Sequence, residues 1–293
     1  MALTLDATST KQIDLEEYLE TVSKEAPVED LDAILATAPI FASLLNNQEL
    51  VVNALNRELR TWRNFVHRGG YTPQTFILGS TENYVIRAIF WTPASADRRF
   101  RNWEEKLYVY QRPHDHNFSF MTGGYYGAGY STTLYEYDHS LVKGDTGESV
   151  KMRFIETTRL SKGKIMFYRA SRDIHSQDYP DELSISVNML VVNRRETLKT
   201  QYEFDFETQT VASGIENSST AQRMLCTIAK HIGNGRTSDL LDELSVTHPN
   251  PQFRASCFDA LLEREPASRE QLLRTASADR DDVVRRVALS VSG

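Results

Sequence analysis

One stretch, residues 107–138, constrains the fold of this chain most, because its apolar residues recur at the strand period on both sides of a glycine-rich turn. It reads LYVYQRPHDHNFSFMTGGYYGAGYSTTLYEYD. His114 and His116 are one residue apart, and residues i and i+2 of a strand point to the same face. The pattern therefore predicts a β-hairpin that presents two imidazoles side by side. Imidazole is a good ligand for iron, copper, nickel and zinc.

A third histidine, His175, lies in a later segment that also reads as strand, turn and strand. Together, His114, His116 and His175 predict a three-histidine metal site with open coordination positions. The alternative is a polar inner face whose histidines bond to the backbone. Asp115 points to the opposite strand face, so we do not count it as a ligand.

A His-x-His pair on one hairpin and a single histidine on a later one is the ligand layout of the cupin barrel. The sequence resembles the cupin superfamily over roughly residues 76–193, and within it the cysteine dioxygenase-like, three-histidine thiol dioxygenase branch. The matching residues are His114-Asp115-His116, Ser119-Phe120, the segment GAGYSTTLYEY and His175. The resemblance implies a mainly β fold with flanking helices, in which a double-stranded β-helix (jelly-roll) barrel binds Fe(II) or another divalent transition metal.

The resemblance also implies roles for residues around the metal. Many cupins add a carboxylate shortly after the His-x-His pair, but residues 119–122 contain none, which favours an all-histidine set. Thiol dioxygenases hold the substrate carboxylate with an arginine from about the place of Arg87, and a structural salt bridge is the alternative for this residue. Arg112, Arg169 and Arg172 are weaker candidates for the same role.

The chain departs from this branch at two places. No cysteine follows the His-x-His pair, and the later strand keeps Ser184 but lacks the histidine and tyrosine of a Ser-x-His-x-Tyr run. The pattern does not rank the tyrosines that could supply a phenol instead, and we name Tyr168 as the catalytic candidate; the full set is Tyr125, Tyr126, Tyr130, Tyr168 and Tyr179. The favoured function is therefore a non-heme iron oxygenase or dioxygenase that uses O₂ on a small anionic substrate, such as an amino acid, thiol or related metabolite.

Periodicity divides the chain into three parts. Residues 1–70 are predicted to be a helical lead packed on the barrel, with a frayed start over residues 1–12 and a long helix from residue 47 to about 66. Residues 71–212 contain eight to ten predicted strands, interrupted by a charged loop at residues 94–106. Residues 213–293 return to helical periodicity.

Two pieces of the last part, NPQFRASCFDALL and DRDDVVRRVALSV, echo each other and resemble a degenerate pair of HEAT-like repeats. Two repeats are too few to stand alone, so they are expected to lean on the barrel or on a second subunit, which leaves a homodimer open. One alternative function follows: the barrel hydroxylates a peptide or protein that these helices recruit. Another is a non-enzymatic cupin that senses a ligand.

Bulk composition excludes several function classes. The net charge of −7 argues against nucleic-acid binding, and no apolar run is long enough to span a bilayer. No signal peptide is evident and two cysteines make no disulfide framework, so a cytoplasmic location is expected. Cys226 and Cys257 are interpreted as buried inert thiols, and Glu136 as a surface or rim residue. The remaining histidines are interpreted as surface residues: His67, His139, His231 and His248.

Overall fold

The computed structural model describes residues 3–60, 74–215 and 218–290, which combine helices with antiparallel β-sheets. The strands are β1 (Leu3–Leu5), β2 (Thr75–Ser80), β3 (Tyr84–Trp91), β4 (Phe120–Tyr126), β5 (Tyr130–Glu136), β6 (Arg153–Leu160), β7 (Ile165–Tyr168), β8 (Asp173–Gln177), β9 (Ser184–Val191), β10 (Gln201–Asp205) and β11 (Thr210–Ile215). The helices are α1 (Leu15–Glu25), α2 (Leu31–Ala36), α3 (Ala38–Leu45), α4 (Glu49–Arg60), α5 (Arg98–Leu107), α6 (Ser218–Ile232), α7 (Gly235–Thr247), α8 (Pro251–Arg264), α9 (Arg269–Ser277) and α10 (Asp282–Ser290).

A six-stranded sheet has the order β1-β7-β4-β9-β3-β2. Strand β9 pairs with β3 on one side and β4 on the other, and all its residues except Ile185 are buried. A strand that is covered on both faces needs apolar side chains on both, which explains its long apolar run. The sequence prediction for this strand is confirmed.

A second layer consists of the three-stranded sheet β6-β5-β8 and the hairpin β10-β11. His114 joins these two units, because it forms antiparallel bridges to His175 in β8 and to Glu203 in β10. Side chains of both layers line one cavity between them. The fold is therefore mixed helix and antiparallel sheet with a cavity between two layers, and closure into a jelly-roll barrel remains a prediction.

The N-terminal helices cover the outer face of the six-stranded sheet. Phe41 and Leu44 of α3 are fully buried in this core, and Leu45 contacts Gly123 of β4 so closely that a Cβ at Gly123 would collide with it. The predicted long helix starts at Glu49 and continues to Arg60. Its remainder, and the predicted boundary at residue 70, lie outside the described residues.

Two predictions for irregular segments are wrong. Residues Leu3–Leu5 do not fray but pair with β7, because their alternating leucines pack on the N-terminal core. The charged segment expected to be a loop forms α5, whose N-cap Asp97 accepts a hydrogen bond from the Arg99 backbone. Leu107 closes this helix, so no strand spans residues 107–110, and Tyr110 forms only an isolated bridge to Gln177.

The C-terminal helices have a core of their own. Cys226 of α6 and Cys257 of α8 are buried there, with Sγ atoms 3.7 Å apart. The two echoing sequence pieces correspond to α8 and α10, which contact each other. No helix in the described ranges is long and apolar enough to cross a membrane. The division into three domains remains a prediction.

Candidate metal site

The three predicted histidines lie together at the cavity between the sheets. His175 Nε2 is 3.0 Å from His116 Nε2 and 3.2 Å from His114 Nε2. Two nitrogens bound at right angles about 2.1 Å from one ion are about 3.0 Å apart, so these spacings fit ligands on one face of a metal ion. His114 and His116 sit in an extended connection rather than in a regular strand, yet their rings still turn to the same side.

All three imidazoles are suited to binding a cation in their neutral form. Burial lowers the pKa of His114, and it holds the pKa of His116 and His175 well below the ordinary value. The neighbouring histidines and the guanidinium of Arg87 lower these pKa values further. A neutral imidazole keeps a lone pair for a metal, so the donor set fits a divalent transition metal.

The Nδ1 atom of each histidine faces an uncharged amide group. His114 Nδ1 is 2.7 Å from the Arg112 carbonyl oxygen. His175 Nδ1 is 2.6 Å from Gln177 Nε2, and His116 Nδ1 is 3.0 Å from Gln201 Nε2. Both glutamines are buried, and no carboxylate takes part in these three contacts.

Asp115, between the first two histidines, points away from the cavity, as its strand parity predicts. Its buried carboxylate accepts hydrogen bonds from Tyr137 Oη at 2.6 Å and from the Tyr202 backbone nitrogen at 2.7 Å. Burial raises the pKa of Asp115 to about 7, although these bonds counteract the shift. Asp115 therefore holds the loop that carries the histidines in place from the side opposite the cavity.

The predicted substrate-binding residue Arg87 lies on β3 and lines the same cavity with only 6% of its surface exposed. Its guanidinium carbon is 5.9 Å from the ring centre of Phe118. Among the weaker candidates, Arg112 also lines the cavity but forms an ion pair with Glu203. Arg169 and Arg172 pair with acidic residues away from it.

Tyr168, the predicted catalytic residue, is buried on β7 and lines the cavity. Its ring stacks on Phe120 with centres 4.6 Å apart and lies 4.8 Å from the ring of His175. Burial holds the pKa of Tyr168 well above its ordinary value, so the phenol keeps its proton at neutral pH. Of the other tyrosine candidates, Tyr130 also lines the cavity, whereas Tyr125, Tyr126 and Tyr179 do not.

The cavity has a volume of about 480 Å³, within the usual range for small-molecule sites. Aromatic side chains, including Trp91 and Phe118, form much of its wall. Gln74 is buried at the wall, donates through Nε2 to the Phe90 carbonyl at 3.2 Å, and has no partner for Oε1 among the described residues.

Sequence reasoning missed the polar residues Gln74, Gln177, Gln201 and Glu203. Gln177 could have been found, because it lies two positions after His175 and therefore shares its strand face. Gln201 is 85 positions from the histidine that it contacts, and no local pattern reports such a pairing.

Other predicted residues are placed as follows. Glu136 pairs with arginines at the end of β5, which agrees with a rim position. His139 is not a free surface residue but is half-buried, with Nε2 2.9 Å from the Thr200 carbonyl oxygen. His67 lies outside the described residues. Ser184 accepts a hydrogen bond from the Gly129 backbone and does not line the cavity.

No family model matches the chain, and no curated protein matches its sequence. Solved structures with partial similarity include hydroquinone 1,2-dioxygenase from Sphingomonas sp. TTNP3, which is 11% identical with a TM-score of 0.28. That match covers 42% of this chain and 67% of the dioxygenase, so it extends over about two thirds of that protein's length.

Two further structures are similar at the same level. DMSP lyase DddQ from Ruegeria pomeroyi is 9% identical with a TM-score of 0.28, covering 66% of this chain and 79% of the lyase. An oxalate decarboxylase is 10% identical with a TM-score of 0.21, covering 42% of this chain and 31% of the decarboxylase. Similarities this weak assign neither a family nor an activity to this chain, and they do not confirm the cysteine dioxygenase branch.

Proposed function

We propose that this chain is a metal-dependent oxygenase in which His114, His116 and His175 bind Fe(II) and a small anionic substrate is oxidised by O₂. The observation that carries the proposal is the meeting of three imidazole nitrogens, 3.0 and 3.2 Å apart, with a buried guanidinium at one small cavity. In a dioxygenation both atoms of O₂ enter the substrate, so the reaction needs no external reductant.

Three uncharged ligands leave the full dipositive charge of the ion at the cavity floor. A bound transition metal would supply a Lewis acid and a redox centre with coordination positions left open. Imidazole also binds copper, nickel and zinc. We propose Fe(II) because non-heme Fe(II) with open coordination positions is the metal of many oxygenases.

The charge of the cavity supports an anionic substrate. Arg112 pairs with Glu203, and the buried guanidinium of Arg87 lies close to the imidazoles. A dication held by the histidines would add positive charge beside this guanidinium, and a carboxylate or thiolate would interact favourably with both. The free acceptor Oε1 of Gln74 supports a substrate that also carries an N–H or O–H group.

Tyr168 would act as a hydrogen-bond donor in this cavity. Its phenol keeps its proton because burial opposes ionisation, and its ring is held by stacking on Phe120. The aromatic part of the wall would limit contact between water and a bound substrate, which strengthens electrostatic contacts.

The first test is elemental analysis of the tag-free native chain and its His114→Ala variant, purified without chelators. Near-stoichiometric iron in the native chain and its loss in the variant are expected. Oxygen consumption with amino acids, thiols and related acids would then identify the substrate. If neither protein carries metal and added Fe(II) does not bind, the three-histidine site is wrong, and the ligand-sensing alternative gains weight.

A second candidate, oxidation of a peptide or protein, is favoured by one observation. Helix α6 exposes an apolar stripe at helical spacing, formed by Met224, Leu225, Ile228 and Ile232. If this stripe recruits the substrate, Ile228→Asp should abolish oxidation of the protein substrate while small-molecule oxidation stays unchanged. A variant without effect on either would count against recruitment by this face.

A further inference from the structure

Gln177 lies beside the candidate metal site, next to the ring of His175. Its Nε2 is 2.6 Å from His175 Nδ1, and its Oε1 is buried with no hydrogen-bond partner among the described residues. Residues 175 and 177 are both on β8 and both line the cavity, so the carboxamide stands directly beside the ring. The nitrogen of this buried amide therefore has a hydrogen-bond partner among the described residues, and the oxygen has none.

The protonation of His175 decides which end of the amide must face it. A neutral imidazole has one N–H, so when Nε2 binds a metal the hydrogen is on Nδ1. An Nδ1–H group needs an acceptor, and an amide NH₂ group cannot accept. A His175 ring that binds a metal through Nε2 therefore needs the oxygen end of the Gln177 carboxamide at Nδ1.

We propose that Gln177 is a positioning residue: with its carboxamide turned so that Oε1 faces His175, it accepts a hydrogen bond from His175 Nδ1–H and fixes the ring with Nε2 toward the metal. The amide nitrogen moves to the position that Oε1 leaves and becomes a donor available to an anionic substrate, alongside Arg87. The inference rests on the metal-binding part of the proposed function and not on the oxidation.

Gln177 can make this turn without losing a bond elsewhere. Its amide nitrogen has no second hydrogen bond among the described residues. Gln201 differs, because its amide nitrogen also donates to the Asp115 carbonyl at 2.7 Å, so turning it over would break that bond. Of the two carboxamides that face the histidines, Gln177 is therefore the one that can present its oxygen to a ring without losing a hydrogen bond among the described residues.

The test uses the full chain loaded with Co(II), whose paramagnetism shifts the imidazole N–H protons to a clear region of the proton NMR spectrum. We compare the native chain with Gln177→Met, which keeps the length of the side chain but removes the amide. Gln74→Met is the matched control, because Gln74 is a buried carboxamide of the same cavity with no contact to a histidine. Co(II) affinity is measured by competition with a chromophoric chelator.

The native chain is expected to show one exchangeable shifted signal for each histidine ligand. Gln177→Met should lose one of them to solvent exchange and bind Co(II) about 10- to 100-fold more weakly, the usual effect of removing a group that orients a metal-binding histidine. Gln74→Met should keep every signal and the native affinity. Unchanged signals and affinity in Gln177→Met would overturn the inference.

Two further outcomes separate this inference from the proposed function. If the native chain binds Co(II) as described but Fe(II) supports no O₂ consumption, only the oxygenase proposal fails. If it binds no Co(II) at all, both fail. Should Gln177→Met not fold, Gln177→Glu retains the acceptor oxygen and must keep every signal; loss of one would contradict the inference.

Discussion

At the scale of single residues, the cavity places a buried guanidinium beside three histidines. Arg87 is buried beside three imidazoles whose pKa values are lowered by burial and, in addition, by its guanidinium. The nearby ion pair between Arg112 and Glu203 adds no net charge. A cation held by the histidines would make the cavity more positive still, so a bound anion is the natural complement.

Replacing Arg87 by glutamine should therefore weaken anion binding while metal binding persists or improves. A hydrogen bond to a charged group contributes about 1.5–3 kcal/mol, so acetate should bind about 10- to 100-fold more weakly to the Co(II)-loaded variant. The change in the visible Co(II) spectrum on acetate titration measures this. Arg159→Gln, which removes an exposed arginine of β6, is the control. Native acetate affinity in Arg87→Gln would show that Arg87 has only a structural role.

Periodicity predicted the pair of histidines, and the family resemblance pointed to Arg87. His114 and His116 were expected on one side because alternation fixes the face to which a side chain points. Gln201 and the partners of Asp115 were not found, because they come from segments far away in the sequence. A pattern of period two carries no information about which distant segment supplies a hydrogen-bond partner.

At the scale of elements, residues 197–205, which include β10, connect the histidine loop to the C-terminal helices. On one side, Asn117 donates to the carbonyls of Thr197 and Lys199 at 2.9 and 3.0 Å. On the other, Asn250 donates to the Leu198 carbonyl at 2.6 Å, and Gln252 donates to Tyr202 Oη at 3.2 Å. The start of α8 therefore holds the segment that backs the metal site.

Asn250 should accordingly matter more than an ordinary helix cap. It caps α8 by accepting from the Phe253 backbone nitrogen at 3.1 Å, in addition to its bond with Leu198. Asn250→Ala should lower the free energy of unfolding by about 0.5–2 kcal/mol for the cap and by about 1 kcal/mol more for the second bond. Asn234 caps α7 by accepting from Thr237 and makes no bond to the sheets within the described part of the chain, so Asn234→Ala should show only the loss of the cap. Urea unfolding of both variants checks this, and equal losses would contradict it.

The elements that sequence reasoning missed are those whose signals are short or masked by charge. The segment that forms α5 is rich in arginine and glutamate, so its helical character was read as a solvated loop. Strand β1 has only three residues, and its existence depends on pairing with β7 far away in the sequence. The long strand β9 was predicted correctly, because a strand buried on both faces has a continuous run of apolar residues that is visible in the sequence.

At the scale of the whole molecule, the helices of residues 218–290 form a second core that is attached to the sheets by polar contacts. Arg286 forms an ion pair with Asp145, and Lys143 Nζ lies 3.6 Å from the Asp282 carboxylate. Surface pairs of this kind contribute little each, so the stability of the helical part depends mainly on its own interior. Arg254 is the largest fully buried side chain there.

Arg254 binds Asp279 through two hydrogen bonds, Nε to Oδ2 at 3.0 Å and Nη2 to Oδ1 at 2.8 Å. The bonds tie α8 to the turn before α10, where the second of the echoing sequence pieces begins. Burial alone would raise the pKa of Asp279. The hydrogen bonds from Arg254 and from the Asp281 backbone, together with the charges of Arg254 and Arg280, more than offset this effect and hold the pKa below its ordinary value.

This pair should make the helical part sensitive to acid. Because the folded pKa of Asp279 lies below that of an unfolded aspartate, about 3.9, the stabilisation is fully present above that value and disappears as the pH falls through the folded pKa. Breaking a buried pair costs about 3–5 kcal/mol, so Asp279→Asn should unfold at lower urea concentration at neutral pH. The difference in the free energy of unfolding between the native chain and this variant should shrink below about pH 5. It should vanish once Asp279 is protonated in both the folded and the unfolded state.

Urea titrations followed by circular dichroism at 222 nm, which reports mainly on helices, measure this difference at each pH. Because other carboxylates titrate equally in both proteins, subtracting the two curves isolates Asp279. Asp282→Asn is the control, because that carboxylate is exposed. Its plot of unfolding free energy against pH should run nearly parallel to that of the native chain. A native–variant difference that stays constant down to strongly acidic pH would mean that the pair does not stabilise the helical part through its charge.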